Sequence, residues 1–308
     1  MRLRRSCLAV PGSSPKMLAK ARTLPADQVF LDLEDAVAES EKTDATRQNI
    51  VDALHEQWTA KTKVVRINGV ATRWCWRDIT YIVEGAGADL DCIMIPKVHD
   101  ASHVHFVAHL LTQLELDLGL EVGGIGLELQ IETGHGTVKM EEIAAASPRA
   151  ETIIFGPGDY AANLGIPQLT VGAIERDYPG DQWHYINARI VNTARAYGLQ
   201  AIDGPFAAIR DLDGMREVAR RSRLLGMDGK WALHPDQITI ANEVYSPEQK
   251  QFDLAVAILE AYRVATDEEG RGAVMFNGEM IDEASRKMAL QVEAAGRAAG
   301  MTPTPVGA

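Results

Sequence analysis

Cysteine, aromatic residues and positive charge are all scarce in this chain of 308 residues. Its 3 cysteines, Cys7, Cys75 and Cys92, are odd in number and lack CxxC spacing. That argues against a disulfide framework and against a structural zinc site, and makes a reducing cytoplasm the simplest setting. Lysine and arginine number 31 against 43 acidic residues, for a formal net charge of -12, with no basic block. Nucleic acid is therefore not an expected partner, and an anionic substrate must be caught by local charge. No stretch is apolar for the ~20 residues that a membrane span needs. The basic start, Met1-Arg-Leu-Arg-Arg-Ser6, leads into an apolar run only from Cys7 to Val10 before Pro11-Gly12, too short for the core of a signal peptide. A G-x-S-x-G nucleophile elbow is also missing, so acyl-enzyme hydrolysis has no support.

What is present is a series of short apolar runs that stop at Gly, Pro or charge: 7–11, 29–34, 63–67, 92–96, 125–132, 152–156, 199–203 and 229–234. Eight such strands, alternating with amphipathic stretches such as 45–54, 101–116 and 183–197, predict a (β/α)8 TIM barrel of the α/β class. Residues 1–245 are read as the barrel and 246–308 as a C-terminal helical extension. The extension is expected to run as a helix (249–266), a Gly-rich hinge (269–272), a short β-like run (273–276), the turn Asn277-Gly278 and a last helix from about Asp282 to Ala299. The end, 303–308, is expected to be disordered. The loop 160–182 is long for a βα connection, usually ~2–6 residues, and is a candidate lid.

In such a barrel the chemistry sits at the C-terminal ends of the strands. Those ends here carry Asp32, Glu34 and Asp35, Arg66, Lys97, Glu132, Asp159, Asp203 and His234. Glu132 and Asp159 close successive strands, and two carboxylates with open positions for water and substrate are how enzymes usually hold Mg2+. The run Gly156-Pro-Gly-Asp-Tyr-Ala161 also fits a dinucleotide fingerprint. It lies behind five strands, however, and its Asp159 would repel a pyrophosphate, so the glycines are better read as a turn that aims this acid at a metal. His99, His103, His105 and His109 crowd one segment, which suggests either a transition-metal site or, as we favour, a solvated helix face. Lys97 is either a Schiff-base lysine or an ion-pair partner of Glu34 or Asp35. His234 is either a substrate contact or a buried, backbone-bonded histidine.

Several segments resemble the malyl-CoA lyases, within the larger group of citrate lyase β-subunit-like and HpcH/HpaI aldolase-like enzymes. They are Val10-Pro-Gly-Ser13, Leu31-Asp-Leu-Glu-Asp-Ala36, Val65-Arg-Ile-Asn-Gly69, Ile93-Met-Ile-Pro-Lys-Val98, Gln130-Ile-Glu-Thr133, Phe155-Gly-Pro-Gly-Asp159, Ile202-Asp-Gly-Pro-Phe206 and Gly229-Lys-Trp-Ala-Leu-His-Pro-Asp-Gln237. Trp183-His184, Ala219-Arg-Arg-Ser222 with Leu225-Gly-Met227, and Ala241-Asn-Glu-Val244 favour malyl-CoA lyases over the shorter citrate lyase subunits. The resemblance implies that Glu132 and Asp159 hold Mg2+, or Mn2+, with the Gly158 backbone facing the substrate. It implies that Arg66 grips the thioester carbonyl of a CoA ester, that Lys20 meets the CoA phosphates, and that Leu233 and His234 line the acyl-CoA channel. Asp282 matches the family's catalytic acid, carried over a neighbouring subunit's barrel in a homotrimer or homohexamer; by pattern alone it is a helix N-cap. Ser14 stands where relatives often carry a basic residue for CoA, so phosphate contacts are expected to differ.

The residue types suit retro-Claisen cleavage of a β-hydroxyacyl-CoA, which needs a base, a Lewis acid for the forming 2-oxoacid, and positive charge at the thioester oxygen. Malyl-CoA or β-methylmalyl-CoA is the expected substrate. Citramalyl-CoA cleavage to pyruvate, malyl-CoA hydrolysis and a noncatalytic lyase subunit are the alternatives. One methyl in a pocket is worth only ~1–3 kcal/mol, too little to read from residues.

Overall fold

The computed structural model describes residues 2–268 and 270–304. Two compact units divide the chain, Met1–Tyr245 and Ser246–Ala308. In the first, β1 (Ser6–Pro11), β2 (Gln28–Asp32), β3 (Thr62–Arg66), β4 (Cys92–Ile95), β5 (Gly126–Ile131), β6 (Ala150–Phe155), β7 (Gln200–Asp203) and β8 (Gly229–Ala232) pair in that order, and β8 returns to β1 to close a parallel barrel. The connections carry α1 (Pro15–Ala21), α2 (Asp44–Leu54), α3 (Cys75–Ala86), α4 (Ala101–Leu118), the short α5 (Gly134–Val138) and α6 (Met140–Ala145), α7 (Pro157–Leu164), α8 (His184–Ala196) and α9 (Leu212–Leu225), and α10 (Pro235–Val244) follows β8. The fold is a TIM barrel.

Local chemistry sets these boundaries. Ser14 caps α1 by accepting from Met17 N, with Pro15 at the first helical position, where its missing N–H costs nothing. Asp100 and Asp211 cap α4 and α9, which end at Gly119 and Gly226 with φ of 67° and 105°, values that glycine adopts without a Cβ penalty. Most strand residues are buried on both faces, as a barrel inside a helical ring requires. Cys7, Phe30, Val64, Cys92, Met94, Ile154, Ile202 and Trp231 fill the barrel interior, and a larger apolar layer joins strands to helices. At the N-terminal end the interior is polar. Arg4, 1% exposed, donates to Gln28 (2.8 Å), Glu128 (2.9 Å), Gln200 (2.6 Å) and Glu151 (2.6 Å).

The second unit contains α11 (Gln249–Arg263), a π-helical turn (Val264–Glu268), a hairpin of β9 (Val274–Phe276) and β10 (Glu279–Ile281), and α12 (Glu283–Ala298). Asn277 and Gly278 both have positive φ, 50° and 84°, the geometry of a tight two-residue hairpin. Gly296 of α12 lies so close to the Phe252 ring of α11 that a methyl group there would clash with it.

The observed elements correct several expected boundaries. The hairpin has a second strand that the apolar pattern did not indicate. Asp159 is not at a strand end: β6 stops at Phe155 and Asp159 lies in the first turn of α7, because Pro157 presets helical φ right after the strand. The long loop therefore starts at Gly165, and its first expected residues, 160–164, are helical. It folds back on itself, since the Ala173 carbonyl accepts from Gln168 Nε2, Gln182 Nε2 and the indole of Trp183. Of the hinge 269–272, Glu269 lies outside the described residues, as do 305–308 of the expected disordered end.

Candidate active site

At the C-terminal end of the barrel, Asp32 and Arg66 are register partners on β2 and β3. The guanidinium pairs bidentately with the carboxylate, Nε to Oδ1 at 2.7 Å and Nη2 to Oδ2 at 2.6 Å, while Nη1 lies 3.1 Å from Glu34 Oε2. The Arg66 side chain packs on Phe30 and Trp231, its charge centre 5.7 and 5.2 Å from the two ring centroids. Burial alone would lower its pKa, but Asp32 and Glu34 outweigh this and raise it. Arg66 is thus a fixed cation, with a planar fork turned by Asp32 and two N–H bonds left over. Asp32 also accepts from Glu34 N and Ala36 N, which shapes the loop that carries Glu34 and Asp35.

Glu132 stands just beyond β5, 2% exposed. It accepts from Lys97 N at 2.6 Å and from Gln130 Nε2 at 2.8 Å. Lys97 reaches it by taking φ of 49°, rare for a non-glycine residue and a sign of a backbone bent for function. Lys97 Nζ contacts Glu34, Asp35 (3.0 Å) and Asp159 (3.4 Å). The ion-pair reading of this lysine is the one observed, and burial is outweighed by Glu34, Glu132 and Asp35, which raise its pKa. A lysine held charged in this way is a poor Schiff-base nucleophile.

Two cations, Arg66 and Lys97, thus face five carboxylates. Burial, with the like charges of Glu34 and Asp159, holds the Glu132 carboxyl well above the usual carboxylate range. Burial likewise raises Glu34. Gln130 Oε1 is buried without a hydrogen-bond partner, and Glu34 Oε2 has the Arg66 ion pair but no hydrogen bond. Gly156 leaves room for Glu132, whose carboxylate a Cβ there would strike. Surplus negative charge, oxygen-only donors and an acceptor without a donor suit a hard divalent cation held by Glu132 and Asp159.

The other expected residues lie farther out. Gly158 precedes Asp159 in the first turn of α7 and is half-buried, as are Leu233 and His234 at the end of β8. His234 caps α10, its Nδ1 accepting from Asp236 N at 3.3 Å. Lys20 is exposed in the last turn of α1. Asp282 belongs to the second unit and is the N-cap of α12: Oδ1 accepts from Ala284 N (2.9 Å) and Ser285 N (3.1 Å). The Ser285 N–H leads the contacts that hold it below the usual aspartate range. His99, His105 and His109 are exposed. His99 stacks on His103 and meets His135, but among the described residues no three His, Cys, Asp or Glu side chains converge on a metal position. Gln130 and the Phe30–Trp231 floor were not singled out in the sequence. Their signal is the two-residue alternation that puts Gln130 on the face of Glu132 and Phe30 on the face of Asp32 and Glu34.

Comparison with known proteins agrees with this geometry. The sequence profile of a family described as HpcH/HpaI aldolase/citrate lyase matches residues 5–235. An L-malyl-CoA/beta-methylmalyl-CoA lyase of Cereibacter sphaeroides is 41% identical over 289 residues, covering 91% of this chain and 90% of its own. A malyl-CoA/beta-methylmalyl-CoA/citramalyl-CoA lyase of Chloroflexus aurantiacus is 37% identical over 274 residues, 83% of this chain and 77% of its own. Among solved structures, the CitE protein of Mycobacterium tuberculosis in complex with magnesium, acetoacetate and coenzyme A superposes with a TM-score of 0.75 at 29% identity, covering 98% of this chain and 100% of that one.

Proposed function

We propose, from the premise that this chain belongs to the HpcH/HpaI aldolase/citrate lyase family, that it is a Mg2+-dependent carbon-carbon lyase acting on CoA esters. Its reaction is the cleavage of malyl-CoA or β-methylmalyl-CoA to glyoxylate and acetyl-CoA or propionyl-CoA, or the reverse. The observation that carries this reading is the juxtaposition of a fixed guanidinium with a crowd of surplus carboxylates at one barrel mouth. A CoA-ester lyase is also what the names of the relatives describe.

Glu132 and Asp159 would hold the cation, which when bound supplies Lewis acidity at the oxygens of the 2-oxoacid. Arg66 directs its two remaining N–H bonds at the thioester oxygen, where negative charge grows as the acyl unit becomes an enolate. Asp32 keeps that fork from rotating, so little reorganisation accompanies the charge. Lys97 holds Glu34 and Asp35 by their carboxylates and Glu132 by its own backbone N–H. Lys20 is the contact for the CoA phosphates and the Gly158 backbone faces the acyl substrate, with Leu233 and His234 along the channel. Asp282 is the acid-base group that moves the substrate proton. Like any unburied aspartate it is ionised at neutral pH, and it serves the barrel of a neighbouring subunit in a homo-oligomer.

Product analysis tests the reaction. Purified protein with Mg2+ and malyl-CoA should yield glyoxylate and acetyl-CoA; malate with free CoA would make it a thioesterase, and no product would overturn the reading. Citramalyl-CoA assayed in parallel tells whether pyruvate is also released, as the Chloroflexus name raises. The shared site has its own test. Inactive Asp282→Asn and Glu132→Gln subunits, mixed under conditions of verified exchange, should regain activity, and none returning would contradict it.

A further inference from the structure

The segments Ile202-Asp-Gly-Pro-Phe206 and Gly229-Lys-Trp231 carry a buried pair that the proposed chemistry does not use. Lys230 and Asp203 are 1% and 6% exposed. Lys230 Nζ donates to Asp203 Oδ2 at 2.7 Å and to the Gly204 carbonyl at 2.8 Å. Asp203 Oδ1 accepts from Gly204 N at 2.8 Å. One ammonium therefore closes a ring that fixes the backbone where β7 ends. Asn187 Oδ1, buried and without a donor, lines a cavity beside this pair together with Phe155, Pro157 and Trp183.

Gly204 is where that backbone presses on something else. A Cβ there would strike both the Phe155 carbonyl and the Pro157 ring. Phe155 ends β6, and Pro157 opens α7, the helix whose first turn holds Asp159. On its other side the same turn meets Glu132, whose carboxylate lies against Gly156. The Gly156-Pro-Gly158 turn is thus gripped between Glu132 and the braced end of β7, and its placement decides how far Asp159 stands from Glu132.

We infer that Lys230, through Asp203 and Gly204, is a positioning residue that sets the Asp159 carboxylate at the spacing from Glu132 which a divalent cation requires. This inference rests on the metal role proposed for those two acids. Groups that orient a metal's ligands from behind are commonly worth 10–100-fold in metal affinity. A buried ion pair replaced on both sides by apolar residues of similar volume is often neutral for stability. Stability and positioning can therefore be separated.

The experiment measures Mn2+ affinity by titration calorimetry and thermal unfolding for the unaltered protein, Asp159→Asn, the double variant Lys230→Met/Asp203→Val, and Gly204→Ala. Mn2+ binding by the unaltered protein, lost in Asp159→Asn, secures the metal reading on its own. Absence of binding, or binding unchanged in Asp159→Asn, overturns that reading and the inference with it. With the metal reading secure, the double variant should unfold near the wild-type temperature yet bind Mn2+ about 10-fold more weakly or worse. Wild-type affinity in a folded double variant overturns the inference and leaves the metal reading standing. Gly204→Ala keeps both charges and pushes on Pro157 directly, so it should weaken Mn2+ in the same way. If the double variant does not fold, wild-type affinity in Gly204→Ala is the overturning result.

Discussion

The same barrel buries an arginine among acids at each end, and the two ends are built to opposite purposes. At the N-terminal end Arg4 donates to two glutamines and two glutamates; burial raises the Glu128 pKa, and the attraction of Arg4 is the largest influence that opposes it. Charge there is matched within the fold. At the C-terminal end the next influences on Glu132 after burial are the repulsions of Glu34 and Asp159, and the Gln130 Oε1 acceptor stays without a donor. A buried charge whose partners are all supplied by the chain has part of its burial cost offset by them, and loses that offset when a partner is removed. An excess of one sign, held in place at some cost, marks where the chain is built to receive something else.

The contrast breaks most sharply under single substitutions. Glu132→Gln should abolish cleavage, with Mn2+ affinity down by more than about 100-fold. Its melting temperature in metal-free buffer should not fall, because a repelled charge has been removed and Gln130 can turn its amide to pair the new side chain. Arg4→Met should do the reverse: it strands Glu128 and destabilises by about 3–5 kcal/mol in urea unfolding, while the protein that remains folded keeps its metal affinity. Equal loss of stability in both variants would erase the distinction between the two ends.

Arg66→Lys comes next in size. The charge is kept, but a point ammonium cannot match Asp32 bidentately and also present a fork to the thioester oxygen, so kcat should fall about 100-fold. Asp32→Asn should act in the same direction by freeing the fork, by about 10-fold, since Arg66 retains Glu34. Steady-state kinetics on both variants check this, and wild-type turnover in either would make that residue structural.

The smallest effect lies at the N-terminal end and depends on pH. Burial would raise Glu151, but Arg4 and Arg2 outweigh it and hold its pKa below the ordinary value. A carboxylate with a depressed folded-state pKa lends stability that is complete above its unfolded pKa, ~4.3, and is lost as pH falls toward the folded value. Glu151→Gln should therefore show a shallower loss of stability between about pH 5 and pH 3 than the unaltered protein does, as read from urea midpoints. An equally steep loss would mean that Glu151 is not paired in solution.

The strand count and the gathering of acids at one barrel mouth were legible because barrel strands are short apolar runs and because polar residues collect at strand ends. Glu132, one residue past β5, follows that rule. Asp159 shows its limit: Gly-Pro-Gly reads equally as a tight turn and as a helix start, and in the structure Pro157 opens a helix. Arg4 precedes every strand, so no periodicity announces it, yet it closes the barrel floor. Lys230 sits in a four-residue strand buried on both faces, where alternation gives no clue to direction. Lys97 was legible as an ion-pair partner, but its left-handed backbone, which brings its N–H to Glu132, follows from tertiary contacts alone.

The most direct test of the account is metal removal. Protein stripped with EDTA should show no cleavage of malyl-CoA, and Mg2+ or Mn2+ added back should restore it, as the metal role proposed for Glu132 and Asp159 requires. Full activity in the stripped, verified metal-free protein would contradict the claim that these acids exist to hold a cation.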